Sequence, residues 1–344
     1  MPATITVLGA GSWGTALAVH LSRVGHDVRL WARDQTIVDD MRGRRANVVY
    51  LPDVTLPATV HVTHDLAGAL AGAELVICAV PSHGCRTVLR HAARHLGRGA
   101  TIVSTTKGLE HDSHLRISEV IAEEVGPAHP VVVLSGPSFA KEVAQQLPTA
   151  VLAASVNGDA TELVQREFRG PFFRLYGSDD VVGVEIGGAM KNVIAIAAGV
   201  VEGLGLGHNA LAALITRGLA EITRLACAAG GRRDTLAGLS GLGDLVLTCT
   251  GTLSRNRHVG AELARGRRLN DIVAGMKMIA EGVQTTGAVL ALGNRFGVEL
   301  PITTQMAEVL SGRMDVRSAV ETLMLRRQRA EADGDRELGN GVIG

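Results

Sequence analysis

A lysine lodged among small aliphatic residues is where this chain first offers chemistry. Lys191 sits in the stretch 187–198, whose other members are Gly, Ala, Met, Val and Ile apart from Asn192. A charged side chain is uncommon in such surroundings unless it has a partner or a task. Desolvation, with a second cation such as Lys107 close by, would bring its pKa down to a range useful for proton transfer near neutrality. From the residues alone, a lysine that snorkels off its helix into water is an equal reading. Asp244 and Thr248 stand four apart, so on a helix they share a face. Asp244 could orient Lys191 or the hydroxyls of a substrate, while Gly-Leu-Gly-Asp by itself reads equally as a helix cap. Ser254 precedes the helical run 255–265 and is a candidate N-cap. The free amides at that end, with Arg255 and Asn256, would make an anion site. A solvated charge cluster is the competing reading.

At the start of the chain, a buried-looking strand over 4–8 runs into Gly9-Ala10-Gly11-Ser12-Trp13-Gly14, and a helix follows. G-x-G-x-x-G in that setting is the dinucleotide-binding signature. Gly9 permits the tight turn, Gly11 lets a pyrophosphate approach the backbone, and Gly14 lets the helix pack on the strand. A nicotinamide cofactor implies hydride transfer, which at a carbonyl needs a proton donor such as Lys191. An NAD site usually places Asp or Glu about 20 residues past the motif, on the ribose 2′-hydroxyl. Here Ala32 stands near that place and Arg33 follows, so a 2′-phosphate and NADP are preferred. Asp34 keeps NAD open, and Arg33 could instead be a solvated charge.

These residues need a scaffold. Short β-branched runs over 27–31, 75–80, 101–104, 131–134 and 150–154 alternate with helical stretches, which predicts a mainly parallel sheet with helices on both faces. From residue 183 the pattern turns helical: 183–203, 209–229, 254–265, 283–294, 302–312 and 316–326. The fold expected is α/β, a Rossmann-type dinucleotide-binding domain over 1–183 followed by an all-helical domain over 184–327. Residues 328–344 read as a flexible tail.

Composition narrows the classes. The 344 residues carry 34 Lys plus Arg against 34 Asp plus Glu, a net charge of zero that argues against a general electrostatic grip on nucleic acid. No uncharged apolar run of 18 residues occurs, 193–201 being bounded by Lys191 and Glu202, so no membrane span is expected. The opening residues lack a basic leader segment, and no signal peptide is read. Cys78, Cys85, Cys227 and Cys249 form no C-x-x-C pair, as for reduced thiols in the cytoplasm. His91 and His95 have metal-ligand spacing but are flanked by Arg90 and Arg94, so a solvated face is favoured and no metal is expected. Cys249 is read as a small buried thiol rather than a nucleophile.

Taken in order, the G-A-G-S-W-G-T-A-L-A opening, Tyr50-Leu51-Pro52, Val80-Pro81-Ser82, Lys107-Gly108-Leu109-Glu110, Ser135-Gly136-Pro137-Ser138, Lys191-Asn192, Ser254-Arg255-Asn256-Arg257 and Glu281-Gly282 closely resemble the bacterial NAD(P)-dependent glycerol-3-phosphate dehydrogenases. The likeness runs from Ile5 to Leu325. It implies an oxidoreductase interconverting dihydroxyacetone phosphate and sn-glycerol 3-phosphate with NADP or NAD, for phospholipid synthesis. It implies that Ser12, Trp13, Arg33, Lys107, Ala140, Arg255, Ile279 and Glu281 touch the dinucleotide. It also implies that Lys107, Gly136, Ser138, Lys191, Asp244, Ser254, Arg255 and Asn256 hold the phosphate-bearing substrate, with Lys191 as the catalytic proton-transfer residue. A homodimer is also expected, and the reduced thiols place it in the cytoplasm. A β-hydroxyacid dehydrogenase has a similar plan, but its substrate bears a carboxylate and residues 254–257 do not belong to its pattern. A redox-sensing regulator without turnover would leave Lys107, Lys191 and Asp244 without a task.

Overall fold

The computed structural model describes residues 2–276, 278 and 280–328. The expected tail therefore lies, except for Gln328, outside the described residues. The strands are β1 (Thr4–Leu8), β2 (Asp27–Trp31), β3 (Ala46–Asn47), β4 (Leu51–Thr55), β5 (Val60–Thr63), β6 (Leu75–Cys78), β7 (Thr101–Ser104), β8 (Val131–Ser135), β9 (Thr149–Ala154) and β10 (Phe173–Ser178). Between them run α1 (Ser12–Arg23), α2 (Gln35–Arg44), α3 (Leu66–Leu70), α4 (Ser82–Ala93), α5 (Ile117–Val125), α6 (Ala140–Ala144) and α7 (Gly158–Phe168). Eight strands form one sheet in the order β10-β9-β8-β7-β6-β1-β2-β5, while β3 and β4 pair separately. All neighbours are parallel except β8 and β9.

β6 and β7, LVIC and TIVS, are buried at every residue, as central strands covered on both faces must be. β1 pairs with both β2 and β6, Ile5 standing beside Val28 on one side and Leu75 on the other. The chain goes out from β1 to β2 and β5, then returns to β6 on the opposite side. Such a reversal opens a crevice beyond the carboxyl ends of the two strands, here between Leu8 and Cys78.

The long apolar strands follow the sequence pattern; the sheet margins do not. β5, VHVT, and β10, FRLYGS, are edge strands with exposed His61, Arg174 and Tyr176, and β3–β4 is a small hairpin. None of these has the continuous apolar run that marks a central strand, because an edge is kept polar against stray pairing. The strand expected over 75–80 stops at Cys78, where the chain turns to lead through Pro81 into α4.

After β10 the described chain is helical: α8 (Val181–Gly203), α9 (Gly207–Ala228), α10 (Arg233–Ala237), α11 (Asp244–Thr250), α12 (Arg255–Ala264), α13 (Leu269–Ala274), α14 (Glu281–Phe296), α15 (Pro301–Leu310) and α16 (Val316–Met324). One π-helical turn, Leu239–Gly243, leads into α11. The boundary expected at 183/184 falls in the first turn of α8. Every residue of α8 from Gly183 to Val201 is buried, as in a helix apolar on all sides. By length and composition α8 could cross a membrane, but 89% of its apolar window is packed inside the protein. α12 crosses it at backbone contact, since a methyl on Gly260 would lie 1.9 Å from the Ile196 carbonyl oxygen.

Candidate active site

The turn after β1 has the shape a dinucleotide needs. Gly9 has φ +110°, and a methyl there would sit 2.8 Å from the Ala79 oxygen across the crevice. A methyl on Gly14 would collide with the Gly9 oxygen at 1.9 Å, so α1 lies against the strand only because that position is glycine. Beside Gly11, the residue capping α1, nothing lies within 4 Å of where a side chain would begin. That open cradle, facing the amides of Ser12 and Trp13 at a helix N-terminus, suits a pyrophosphate. The Trp13 Nε1 is buried without a partner among the described residues.

Ala32 is buried just past β2, and Arg33 beside it is exposed. The Asp34 carboxylate accepts from the Thr36 amide at 2.8 Å as N-cap of α2. One oxygen of the acid that kept NAD open is thus engaged in capping a helix.

Across the crevice, three elements bring two lysines to one carboxylate. Lys191, on α8 and 6% exposed, donates to Asp244 Oδ1 at 2.6 Å and to Thr248 Oγ1 at 2.9 Å. Lys107, on the loop after β7, donates to Asp244 Oδ2 at 2.8 Å and to the Gly136 carbonyl at 2.8 Å, with Ser138 Oγ at 3.4 Å. Gly136 and Ser138 lie directly after β8, so both carboxyl-edge loops converge here. The N-cap of α11 is Gly243, and the Asp244 side chain makes no cap, which removes the capping alternative. Lys191 points inward, which removes the snorkelling one.

Burial pushes the Lys191 pKa down from 10.5; Asp244 pulls it up, Lys107 pushes it down again, and it comes to about 8. Burial alone would raise Asp244, but the ammonium groups of Lys107 and Lys191 outweigh it and hold the carboxyl below its usual range. The result is an ionised carboxylate bridging two amines, one of them poised near neutrality.

A chain of amides continues from this cluster. Asn192 donates to the Lys107 carbonyl at 2.9 Å. Asn256 donates to Asn192 Oδ1 at 2.9 Å and accepts from the Gly282 amide at 3.0 Å. The carboxylate of Glu281, the first residue of α14, accepts from Ser82 N at 3.1 Å and Ser82 Oγ at 2.6 Å. The path therefore leads from the sheet half through α8, α12 and α14 back to the sheet half at α4. Ser254 caps α12, its hydroxyl accepting from the Arg257 amide at 3.3 Å. Arg255 is exposed beside it and makes no hydrogen bond or ion pair among the described residues. Crowding by protein atoms lowers its pKa, with only the Glu281 charge opposing.

Not every expected site residue is equally engaged. Ala140 opens α6, half-buried. Ile279 lies outside the described residues. The Asn256 side chain is committed to Asn192 and Gly282 and keeps one amide hydrogen for anything else. Asn192 and Ser82 stand out in the sequence only as parts of longer motifs, and nothing in their spacing announces that they bond Lys107 and Glu281, 85 and 199 residues away. His91 is exposed and bonds the Thr87 carbonyl. Cys249 is buried, and burial pushes its thiol up to about 12, far from a nucleophile's range.

A doubly flanked, mainly parallel sheet with a glycine turn at its strand-order reversal, a lysine on its carboxyl-edge loop and a buried lysine on the helical half that share one carboxylate, has the features of a nicotinamide-dependent dehydrogenase. The comparisons with known proteins narrow the class. The chain belongs to the NAD-dependent glycerol-3-phosphate dehydrogenase family, whose N-terminus matches residues 4–161 and whose C-terminus matches residues 180–321. The NAD(P)+ glycerol-3-phosphate dehydrogenase of Koribacter versatilis is 55% identical, over 95% of this chain and 98% of that one. The protein of the same name from Syntrophotalea carbinolica is 51% identical, over 96% and 99%. The crystal structure of glycerol-3-phosphate dehydrogenase from Coxiella burnetii superposes with a TM-score of 0.92 at 42% identity, covering 94% of this chain and 99% of that one.

Proposed function

We propose that this chain interconverts dihydroxyacetone phosphate and sn-glycerol 3-phosphate with NADP or NAD, and that Lys191 carries the proton. The observation that carries this reading is the Lys191 ammonium, buried and held 2.6 Å from Asp244 with a pKa brought near 8. Gly9, Gly11, Ser12, Trp13 and Gly14 would hold the dinucleotide, with Arg33, Lys107, Ala140, Arg255, Ile279 and Glu281 around it. When bound, the reduced cofactor supplies hydride to C2 of the ketone. Lys191 then delivers a proton to the oxygen at C2, and in the opposite direction its neutral amine takes that proton back. Asp244 fixes the direction of both amines. Lys107, Gly136 and Ser138 border the reacting end. Ser254, Arg255 and Asn256 take the phosphate, the unpaired Arg255 guanidinium and the free amides of α12 supporting that role. Gripping this remote group would orient the reacting carbon.

The exposed Arg33, with the apolar Ala32 standing near the place of the usual ribose-binding acid, supports a preference for NADP. The family resemblance supports a cytoplasmic homodimer that makes glycerol 3-phosphate for phospholipid synthesis. We divide the chain into a dinucleotide domain over 1–183 and a substrate domain over 184–327.

A substrate panel tests the reading. NADPH oxidation is expected with dihydroxyacetone phosphate and lost by orders of magnitude with dihydroxyacetone or a 3-oxo acid. Comparable rates with the unphosphorylated ketone overturn the phosphate anchor, and a preference for the 3-oxo acid overturns the substrate class.

A further inference from the structure

The loop that carries Lys107 leaves β7, turns back on itself and enters α5, and one face of α8 holds it at both ends. Glu185, Gly188 and Asn192 are spaced three and four apart, so they line up on that face. At the near end Asn192 donates to the Lys107 carbonyl at 2.9 Å. In the middle, Gly188 lies against the end of β8 and the loop: a methyl there would press on Ser135 Oγ at 3.0 Å and meet Lys107 Cγ in ordinary contact at 3.6 Å. At the far end, the Glu185 carboxylate accepts from the Ser118 amide at 2.8 Å, from Ser118 Oγ at 2.5 Å and from Arg116 at 2.9 Å.

The loop transmits that grip. Leu109 and Arg116 form an antiparallel bridge, and the Glu110 amide donates to the Leu115 carbonyl at 2.9 Å. Whatever fixes Arg116 thereby fixes Leu109, two residues from Lys107. Glu185 is 5% exposed, and the proton transfer described above makes no use of it. A buried carboxylate is costly to desolvate, and the donors around this one all come from the sheet half.

We propose that Glu185 is a positioning residue for the reaction, holding the Lys107 loop in register on α8 so that Lys107 meets Asp244 opposite Lys191. This rests on the assignment of Lys191 as the proton-transfer group. The charged and titratable groups facing Lys191 are Asp244 and Cys249 from α11 and Lys107 from the loop. If the loop slips, Lys107 withdraws its charge and leaves Asp244 to Lys191 alone. Both changes favour the protonated amine.

Glu185→Gln tests this, since it keeps the size and one acceptor oxygen but sets an NH2 group against the Arg116 and Ser118 donors. The kcat for dihydroxyacetone phosphate reduction is expected to fall about 10- to 100-fold, the effect of a small misplacement at a reacting centre. The alkaline limb of the kcat profile is expected to move to higher pH. Arg116→Gln, made from the loop side on a side chain 20% exposed, should reproduce both changes and decides the matter if Glu185→Gln does not fold. Wild-type kcat overturns the proposal, and so does a lowered kcat with an unmoved limb, the mark of a purely structural role. Lys191→Ala, run alongside, should lose about two or more orders of magnitude in kcat. Normal turnover in that variant overturns the Lys191 assignment itself. An inactive Lys191→Ala with an unaffected Glu185→Gln overturns only the role of Glu185.

Discussion

At the scale of single residues, the site works by sharing. One carboxylate, Asp244 at 1% exposure, serves two ammonium groups, so the buried cluster keeps one net positive charge for an incoming anion or developing alkoxide. Lys191 was legible in the sequence because a charge in an apolar helix stands out, and Thr248 because it lies one helical turn from Asp244. Asn192, Asn256 and Ser82 were not legible as a network. An amide or hydroxyl suits many partners, and theirs are set by contacts dozens to hundreds of residues apart. Arg33 was legible only through Ala32, which brings no side-chain acceptor to the place of the usual acid, while Asp34 left NAD open; the structure adds that one Asp34 oxygen caps α2 through the Thr36 amide. Arg33→Ala should therefore raise the KM for NADPH well above its effect on the KM for NADH, read from initial rates with each cofactor. Equal effects would leave the guanidinium as an ordinary surface charge.

At the scale of elements, what the sequence displays depends on how completely an element is buried. β1, β6, β7 and β8 are short runs rich in β-branched residues and α8 has an apolar circumference, so their places were readable. β5, β10, α10 and α13 are short, marginal or polar on one side, and their existence is decided by neighbours rather than by their own pattern. α15, readable from its own pattern, still takes its cap from a neighbour. Its first turn is capped from another helix, by Glu221 of α9, which accepts from the Ile302 amide at 2.5 Å and from the Thr303 amide and hydroxyl at 3.3 and 3.1 Å. Burial pushes the pKa of Glu221 up from 4.5 to about 7, although the capping donors oppose it. A carboxyl whose folded pKa lies above its unfolded one binds its proton more tightly in the native state. Its contribution to stability is complete below about pH 4.5 and is lost as pH rises through about 7, roughly 3 kcal/mol in all. The Tm is expected to decline across that window, and Glu221→Gln, which removes the titration, should flatten the decline. An identical slope in the variant would place the pH dependence elsewhere.

At the scale of the whole molecule, neither half holds the proposed site alone. The glycine turn and the Lys107 loop belong to the sheet half, Lys191 and Asp244 to the helical half, and the amide chain through Asn192, Asn256 and Gly282 to Glu281 and Ser82 ties the two together. The pKa of Lys191 is for that reason a property of the assembled protein: α8 supplies the burial, α11 the carboxylate, and the sheet half the opposing cation. It should appear in catalysis in both directions. With Lys191 as the proposed proton carrier, reduction of dihydroxyacetone phosphate needs the ammonium form, so its kcat should fall as pH rises through about 8. Oxidation of glycerol 3-phosphate needs the neutral amine, so its kcat should rise through the same value. Measuring both across roughly pH 6 to 10, the span in which a depressed lysine titrates, tests Lys191 twice over. A limb near 10.5, where a solvated lysine ionises, would mean that the two halves do not press Lys191 as described. Limbs that run the same way in both directions would mean that the group titrating is not the one exchanging a proton with the substrate oxygen.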